Sequence, residues 1–262
     1  MKRILLTGAS GGMGKATLEY LTNEGYFIYA LDIGDIPQME NVKSFKVDLR
    51  KMDEIQKVYD EIKNDGELDA TIHLSGVFKL DSFIEINEEE LKKVFDINFF
   101  AVYRVNKTFL PLLHRGSKII ITTSEVAPLD SLPFNGVYSV SKAALEKYAD
   151  SLRQELNLLD IQVVELLPGA VDTGMLPKSL QDVENLEKKT VLYKKQSHNF
   201  MRIVKNNETK SIKPIKIAKL ISKILKKKKP KLAYKINHNV KLKMLSILPK
   251  RWQLAIIRKL VK

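Results

Sequence analysis

The sequence predicts an α/β protein built on a doubly wound, mostly parallel sheet with helices on both faces, a three-layer αβα arrangement. Short, nearly continuous apolar runs recur along the first two thirds of the chain, as expected of strands buried on both faces. Stretches with helical periodicity stand between them. Strand, helix and strand in repetition imply right-handed crossovers and a parallel sheet. Glycines fill the turn between the first strand and the first helix.

The expected strands are Arg3 to Leu6, Phe27 to Leu31, Ser44 to Val47, Ala70 to Leu74, Lys118 to Thr122 and Gln162 to Leu166. The expected helices are Gly14 to Asn23, Met52 to Lys63, Glu88 to His114 and Val137 to Leu158; in the second, Ile55, Val58, Tyr59 and Ile62 form one stripe. Residues 177 to 212 are polar and mixed, so a long excursion covering a site is expected there. A helix over Lys213 to Lys229 should end at Pro230, followed by the short strand KLAYKI. Pro249 must interrupt the closing stretch of Leu, Ile and Lys residues. With no repeat and no low-complexity linker, the simplest organisation is one domain over 1–262, with a substrate-loop region at about 174–212 and a basic C-terminal extension at 213–262.

Composition narrows the function classes. The chain has 262 residues, 44% of them hydrophobic, with 12 Gly and 9 Pro, which is the profile of a folded globular protein. It has no cysteine, so disulfides, thiolate metal ligands and a Cys nucleophile are excluded. No metal ligand set is read elsewhere. The apolar run before Thr7 is too short for a signal-peptide core, and no apolar stretch approaches the roughly 18 residues of a membrane span. A cytoplasmic location is expected, with membrane association as the alternative.

The net charge of +13 is unevenly placed. From Phe200 to Lys262 there are 20 Lys or Arg against one acid, Glu208, whereas the first 199 residues carry 24 against 30. Of the basic residues 36 are Lys and 8 are Arg, which speaks against nucleic acid, because bidentate contacts favour Arg. Solvated helix faces explain the excess most simply; a docking surface for anionic lipid or an acidic partner is the other reading.

In TGASGGMG, residues 7 to 14, the glycines Gly8, Gly12 and Gly14 sit at strand end, turn and helix start. Bare backbone there permits close approach of a ligand and of the helix to the sheet. The helix N-terminus offers unpaired amides to a pyrophosphate. Eighteen residues on, Asp32 ends the second strand, placed to accept hydrogen bonds from an adenosine ribose. A carboxylate there repels the 2′-phosphate of NADP, and no basic residue follows immediately in DIGDI, so NAD is expected over NADP. Asp35 as the acceptor, or simple capping by Asp32, are the plainer readings.

Tyr138 and Lys142 in YSVSK leave one face of a helix, four residues apart. An ammonium beside a phenol stabilises the phenolate and lowers its pKa from about 10, which would make Tyr138 a usable acid or base.

Together with Asn98, Ser124 and PGAVDT from Pro168, these motifs resemble the short-chain dehydrogenase/reductase family over about residues 1 to 175. The resemblance implies a Rossmann fold and a nicotinamide coenzyme. It implies that Tyr138 exchanges the substrate proton, that Lys142 holds the nicotinamide ribose and tunes Tyr138, and that Ser124 bonds the substrate oxygen. Asn98 would support a water relay to Lys142. Asp48 and Leu49 resemble the adenine-holding segment, and Thr173 the contact to the nicotinamide amide. Ser10, Met13, Gly76, Pro168, Gly169 and Val171 complete the implied coenzyme surface.

Two departures are visible. Where the family commonly has Asn-Asn-Ala-Gly, this chain has His73, Leu74, Ser75 and Gly76; His73 is read as a packed or hydrogen-bonded strand residue. Ser124 lies fourteen residues before Tyr138, one more than usual, with Glu125 at the usual position. Ser124 is chosen because Thr-Ser ends the fifth strand, and the Pro128 to Pro133 loop can hold the extra residue.

The expected activity is hydride transfer between nicotinamide and an alcohol or carbonyl compound. Met175, Leu176, Leu180, Leu192, Tyr193, Phe200 and Met201 suggest an apolar pocket, and the C-terminal run resembles branches acting on retinol, steroids or other lipophilic alcohols. The alternatives are a peripheral membrane or lipid-binding module using the tail from Val240, and an NAD-sensing protein without turnover. The tail also reads as a helix pair capping the sheet or as an oligomer interface. A homodimer or homotetramer is expected through the helices at 88–114 and 137–158.

Overall fold

A computed structural model describes residues 1–173, 175–206 and 210–262, the side chains of 175–180 and 206 excepted. The chain begins β1 (Arg3–Thr7), α1 (Gly12–Asn23), β2 (Phe27–Asp32), β3 (Val42–Lys46), α2 (Met52–Ile62) and β4 (Leu68–His73). It continues α3 (Glu88–Phe95), α4 (Ala101–Phe109), β5 (Leu113–Thr122), α5 (Gly136–Asn157) and β6 (Gln162–Pro168). Then come α6 (Met175–Lys189), α7 (Lys194–Asn206), α8 (Ile215–Lys226), β7 (Ala233–Ile236), α9 (Val240–Ile247) and α10 (Lys250–Val261).

All seven strands are parallel, in the order β3-β2-β1-β4-β5-β6-β7. The chain winds outward from β1 to β3, then crosses back to lay β4 on the other side of β1. That reversal opens a crevice at the carboxyl ends of β1 and β4, where open α/β sheets bind ligands.

Alternation along the strands builds the three layers. Ile4 and Leu6 of β1 face one side with Leu18 and Leu21 of α1 and Ile217, Ile221 and Ile224 of α8. Leu5 faces the other, with Ile55, Val58 and Ile62 of α2 and Val105 and Phe109 of α4. Ile119 and Ile121 of β5 pack beneath α5 on Leu145, Ala149 and Leu156. A fourth cluster joins Leu80, Phe134, Val183, Leu186, Phe200 and Val261, and ties α6, α7 and α10 to the body.

Two expectations need correction. The helix expected over Glu88 to His114 is not continuous: α3 passes through a π-helical turn, Asp96–Phe100, into α4, which stops at Phe109. Leu110–Leu112 is a 3₁₀ turn holding Pro111, and β5 already begins at Leu113. Proline cannot donate to a helical ladder and its ring clashes with the preceding turn. The region 177 to 212, expected as an excursion without periodicity, contains α6 and α7. Their inner faces include buried Asp182 and Ser197, so the apolar stripe that marks a helix is interrupted by polar residues.

Phe109 is wholly buried and meets the Tyr59 ring edge-on at 6.0 Å. Phe109→Ala should lower stability by about 3–5 kcal/mol, whereas Ile33→Ala, at a mostly exposed position, should cost no more than about 0.5 kcal/mol. Urea unfolding checks both; equal losses would contradict this packing.

Candidate active site

The loop between β1 and α1 is set by what cannot fit. Gly8 has φ +75°, and a Cβ there would lie 2.5 Å from the Ser75 amide nitrogen. A Cβ on Gly14 would sit 1.9 Å from the Gly8 carbonyl oxygen, and one on Gly12 2.8 Å from the Thr173 Cα. The start of α1 has no side-chain cap and no acid in its first turn. Its first amides and the positive end of its dipole therefore face the crevice. At the end of β2, the Asp32 carboxylate accepts from Ser10 N (2.9 Å) and Gly34 N (2.8 Å). Asp35 is exposed and paired instead with Lys46.

A cleft of about 490 Å³ runs over this loop, past Asp32, Asp48 and Leu49, to Ser75, Gly76 and Thr173. Arg50 lies on its wall, with Nε and Nη2 donating to the Asp48 carboxylate, which is held below the usual range chiefly by that guanidinium. The cleft shares Met13, Leu74, Ser75, Gly76 and Thr173 with a second space of about 280 Å³, lined by Ser124, Glu125, Tyr138, Lys142, Pro168, Gly169 and Val171. The glycine loop and YSVSK thus open onto one crevice. A dinucleotide fits these residues: the approach is bare backbone, the amides are open, and an acceptor stands at the ribose end.

At the inner end Ser124 and Tyr138 line one space. Lys142 Nζ donates to Thr122 O (3.0 Å) and lies 6.0 Å from the centre of the Tyr138 ring. Burial brings the Lys142 ammonium down to about 8. Burial pushes the Tyr138 phenol up; the Ser124 hydroxyl opposes this and the Glu125 carboxylate adds to it. In this arrangement burial is the largest influence on both groups, and Lys142 is not among those that shift Tyr138.

Asn98 sits wholly buried in the middle of the π-helical turn. Its Nδ2 donates to Val77 O and Ser141 Oγ (both 3.0 Å), and its Oδ1 accepts from Val77 N (2.8 Å). A Cβ built on Gly76 would be 3.3 Å from Asn98 Oδ1 and 3.5 Å from Lys142 Nζ, so the two polar groups converge over that glycine.

Other residues fall differently. Phe78, stacked on Tyr138 at 4.7 Å, and Val126, Asn239 and Leu242 line the inner space without having been singled out in the sequence. They come from loops and from α9, where sequence spacing carries no signal. Glu125 is buried, its carboxyl raised by burial, and its Oε2 accepts from Asn239 N (2.5 Å). Tyr193, Phe200 and Met201 pack in the fourth cluster and Leu192 is exposed; none of these four lines the space beside Tyr138, while Tyr193 lines a separate space of about 430 Å³ with Phe83, Phe134 and Ile257. The side chains of Met175, Leu176 and Leu180 lie outside the described residues.

His73 is buried in β4, its Nε2 2.8 Å from Asn106 Oδ1. Because Asn106 Nδ2 donates to Tyr148 OH, Oδ1 must accept, and His73 carries its proton on Nε2. Burial lowers it to about 4. A depressed histidine pKa favours the folded state above the ordinary value of 6.5 and withdraws that stability as pH falls toward 4. Melting between pH 7 and 4 should lose about 3 kcal/mol through this residue, and His73→Gln should flatten that part of the slope. An unchanged slope would show that His73 is not desolvated.

The family model described as short chain dehydrogenase matches residues 2–184. A 3-ketodihydrosphingosine reductase of Bacteroides thetaiotaomicron is 28% identical over 238 residues, 89% of this chain and 87% of that protein. An NADPH-dependent 1-acyldihydroxyacetone phosphate reductase of Schizosaccharomyces pombe is 31% identical over 187 residues, 68% of this chain and 63% of that protein. The structure of a short chain dehydrogenase family protein of Francisella tularensis superposes with TM-score 0.77 at 28% identity, covering 90% of this chain and 97% of that one. With its parallel sheet and glycine loop in the matched region, this chain belongs to the short-chain dehydrogenase/reductase family of Rossmann-fold oxidoreductases, which bind NAD(P) and act on small molecules.

Proposed function

We propose that this protein is an NADH-dependent reductase of lipophilic ketones, with Tyr138 as the proton donor. The observation that carries the reading is that Ser124, Tyr138 and Lys142 line one space, which opens into the crevice of the glycine loop. Residues 8–14, Asp32, Asp48 and Leu49, with Thr173 at the far end, would hold the coenzyme, which would supply the hydride. Ser124 Oγ holds the substrate oxygen, and Tyr138 gives it a proton. The Lys142 ammonium, charged below its pKa of about 8, stabilises the phenolate left behind. Asn98, fixed by Val77 and Ser141, orients the polar end near Lys142. A phenol raised by burial keeps its proton at neutral pH, which suits reduction.

Met13, Phe78, Val126 and Leu242 make the walls beside Tyr138 apolar. The two curated relatives are named as reductases of 3-ketodihydrosphingosine and 1-acyldihydroxyacetone phosphate, and this supports a lipid ketone as the substrate class. For the coenzyme, Asp32 disfavours a 2′-phosphate, and of the two cations that line the cleft, Arg50 and Lys93, Arg50 is engaged by Asp48. The pairing of β7 with β6 supports treating 1–262 as one domain. Exposed Phe100, Tyr103 and Val140 on the flank of α4 and α5 support a homo-oligomer there.

Tyr138→Phe should cut turnover of a long-chain ketone by about 10²–10⁴-fold while coenzyme still binds by fluorescence titration; undiminished turnover would refute the assignment. With the unaltered enzyme, kcat/KM with NADH should exceed that with NADPH by roughly tenfold or more, about 1.4 kcal/mol. Asp32→Ser should narrow the gap. Equal or better use of NADPH would reverse the coenzyme reading.

A further inference from the structure

We propose that α9 and α10 form a docking surface for anionic phospholipid bilayers. α10 buries one stripe, Gln253, Ile257 and Val261, against the body, with Gln253 Nε2 donating to Leu248 O and Asn199 Nδ2 to Val261 O. A second stripe at the same four-residue spacing, Trp252, Ile256 and Leu260, points outward; Trp252 is 64% exposed. In α9, capped by the Asn239 side chain, Leu242 lines the crevice while Val240, Met244 and Ile247 occupy the opposite face. Ile247 is 75% exposed. Large apolar side chains grouped this way on a surface mark an interaction site.

The charges beside them select the occupant. A shallow depression along α10 is lined by Lys195, Arg251, Arg258, Lys259 and Lys262 with no acid. None of these five forms an ion pair among the described residues, whereas Lys250 is taken by Asp130. An outward apolar stripe bordered by unpaired cations matches the headgroup and acyl boundary of an anionic leaflet, with lysine stems reaching to the headgroups. A second copy of this surface would bring like charges together, and nucleic acid would leave the apolar stripe in water. No helix among the described residues is long and apolar enough to cross a membrane, so the contact lies in the interface. Because Leu242 and the amide of Asn239, bonded to Glu125, belong to the same short segment as the outward face of α9, a docked enzyme presents its crevice near the lipid.

Trp252 is the sole tryptophan of the chain and reports directly on its own surroundings. The full-length protein would be mixed with vesicles of phosphatidylcholine alone, or with about 30% phosphatidylserine, and followed by sedimentation and by tryptophan emission. Binding to the anionic vesicles only, with a blue shift of Trp252, is expected. Arg251→Gln with Lys259→Gln should weaken binding roughly thirtyfold at about 1 kcal/mol per cation, and Ile256→Ser with Leu260→Ser should remove the shift. Unaltered far-ultraviolet circular dichroism confirms that each variant folds. No binding to anionic vesicles at about 0.1 M salt, or binding with Trp252 unmoved, would overturn the proposal. So would an emission that shifts with protein concentration in the absence of lipid, since a second copy would then cover the stripe. None of these readouts involves turnover, so docking and the reductase reading fail separately.

Discussion

Among the described glycines, the tightest fit is between the two ends of the glycine loop. Gly14, at the first turn of α1, leaves no space for even a methyl group against the Gly8 carbonyl, and Gly8 in turn lies against the backbone of Leu74 and Ser75 after β4. This three-way contact locks α1 to β1 and β4 at the point where the strand order reverses. Any side chain at Gly8 or Gly14 would push the helix away, and the amides at its N-terminus would no longer converge on the crevice. The cleft, the position of Asp32 and the route to Tyr138 all follow from that fit.

At the other end the controlling effect is desolvation. Lys142 is buried and Tyr138 half-buried, and desolvation disfavours the charged form of each: it raises the phenol and lowers the ammonium. The two shifts carry the groups apart on the pH scale, the phenol upward and the lysine down to about 8, so at neutral pH the lysine is still charged and the tyrosine still protonated. Such an arrangement is primed to give a proton. Glu125, bonded to the Asn239 amide, raises the phenol further while tethering the segment that enters α9. One carboxylate therefore links the electrostatics of the crevice to the position of the C-terminal helices.

Much of this was legible because it rests on short-range rules. Gly8, Gly12 and Gly14 stand where backbone must approach backbone, and Tyr138 and Lys142 share a face because of the helical repeat. β1 and β2 carry continuous apolar runs, Ile4 to Leu6 and Phe27 to Leu31, because both faces of the sheet are covered. The rest depends on contacts that spacing does not encode. Asn98 reaches Val77 and Ser141 from a π-helical turn that no residue pattern announces. α6 and α7 bury Asp182 and Ser197, so their faces do not read as apolar. The sign of the Tyr138 shift depends on burial, which the spacing to Lys142 does not reveal. The outward stripe on α10 reads in sequence like any core stripe, and only the fold tells it apart from Gln253, Ile257 and Val261.

The central claim is that the glycine loop and the Tyr138 cluster are two ends of one site. A crystal structure of the enzyme grown with saturating NADH tests it most directly. The account predicts the dinucleotide in the crevice over β1 and β4, with its pyrophosphate at the start of α1 and its nicotinamide end beside Tyr138 and Lys142. A dinucleotide bound elsewhere, or an empty crevice at saturating coenzyme, would contradict it.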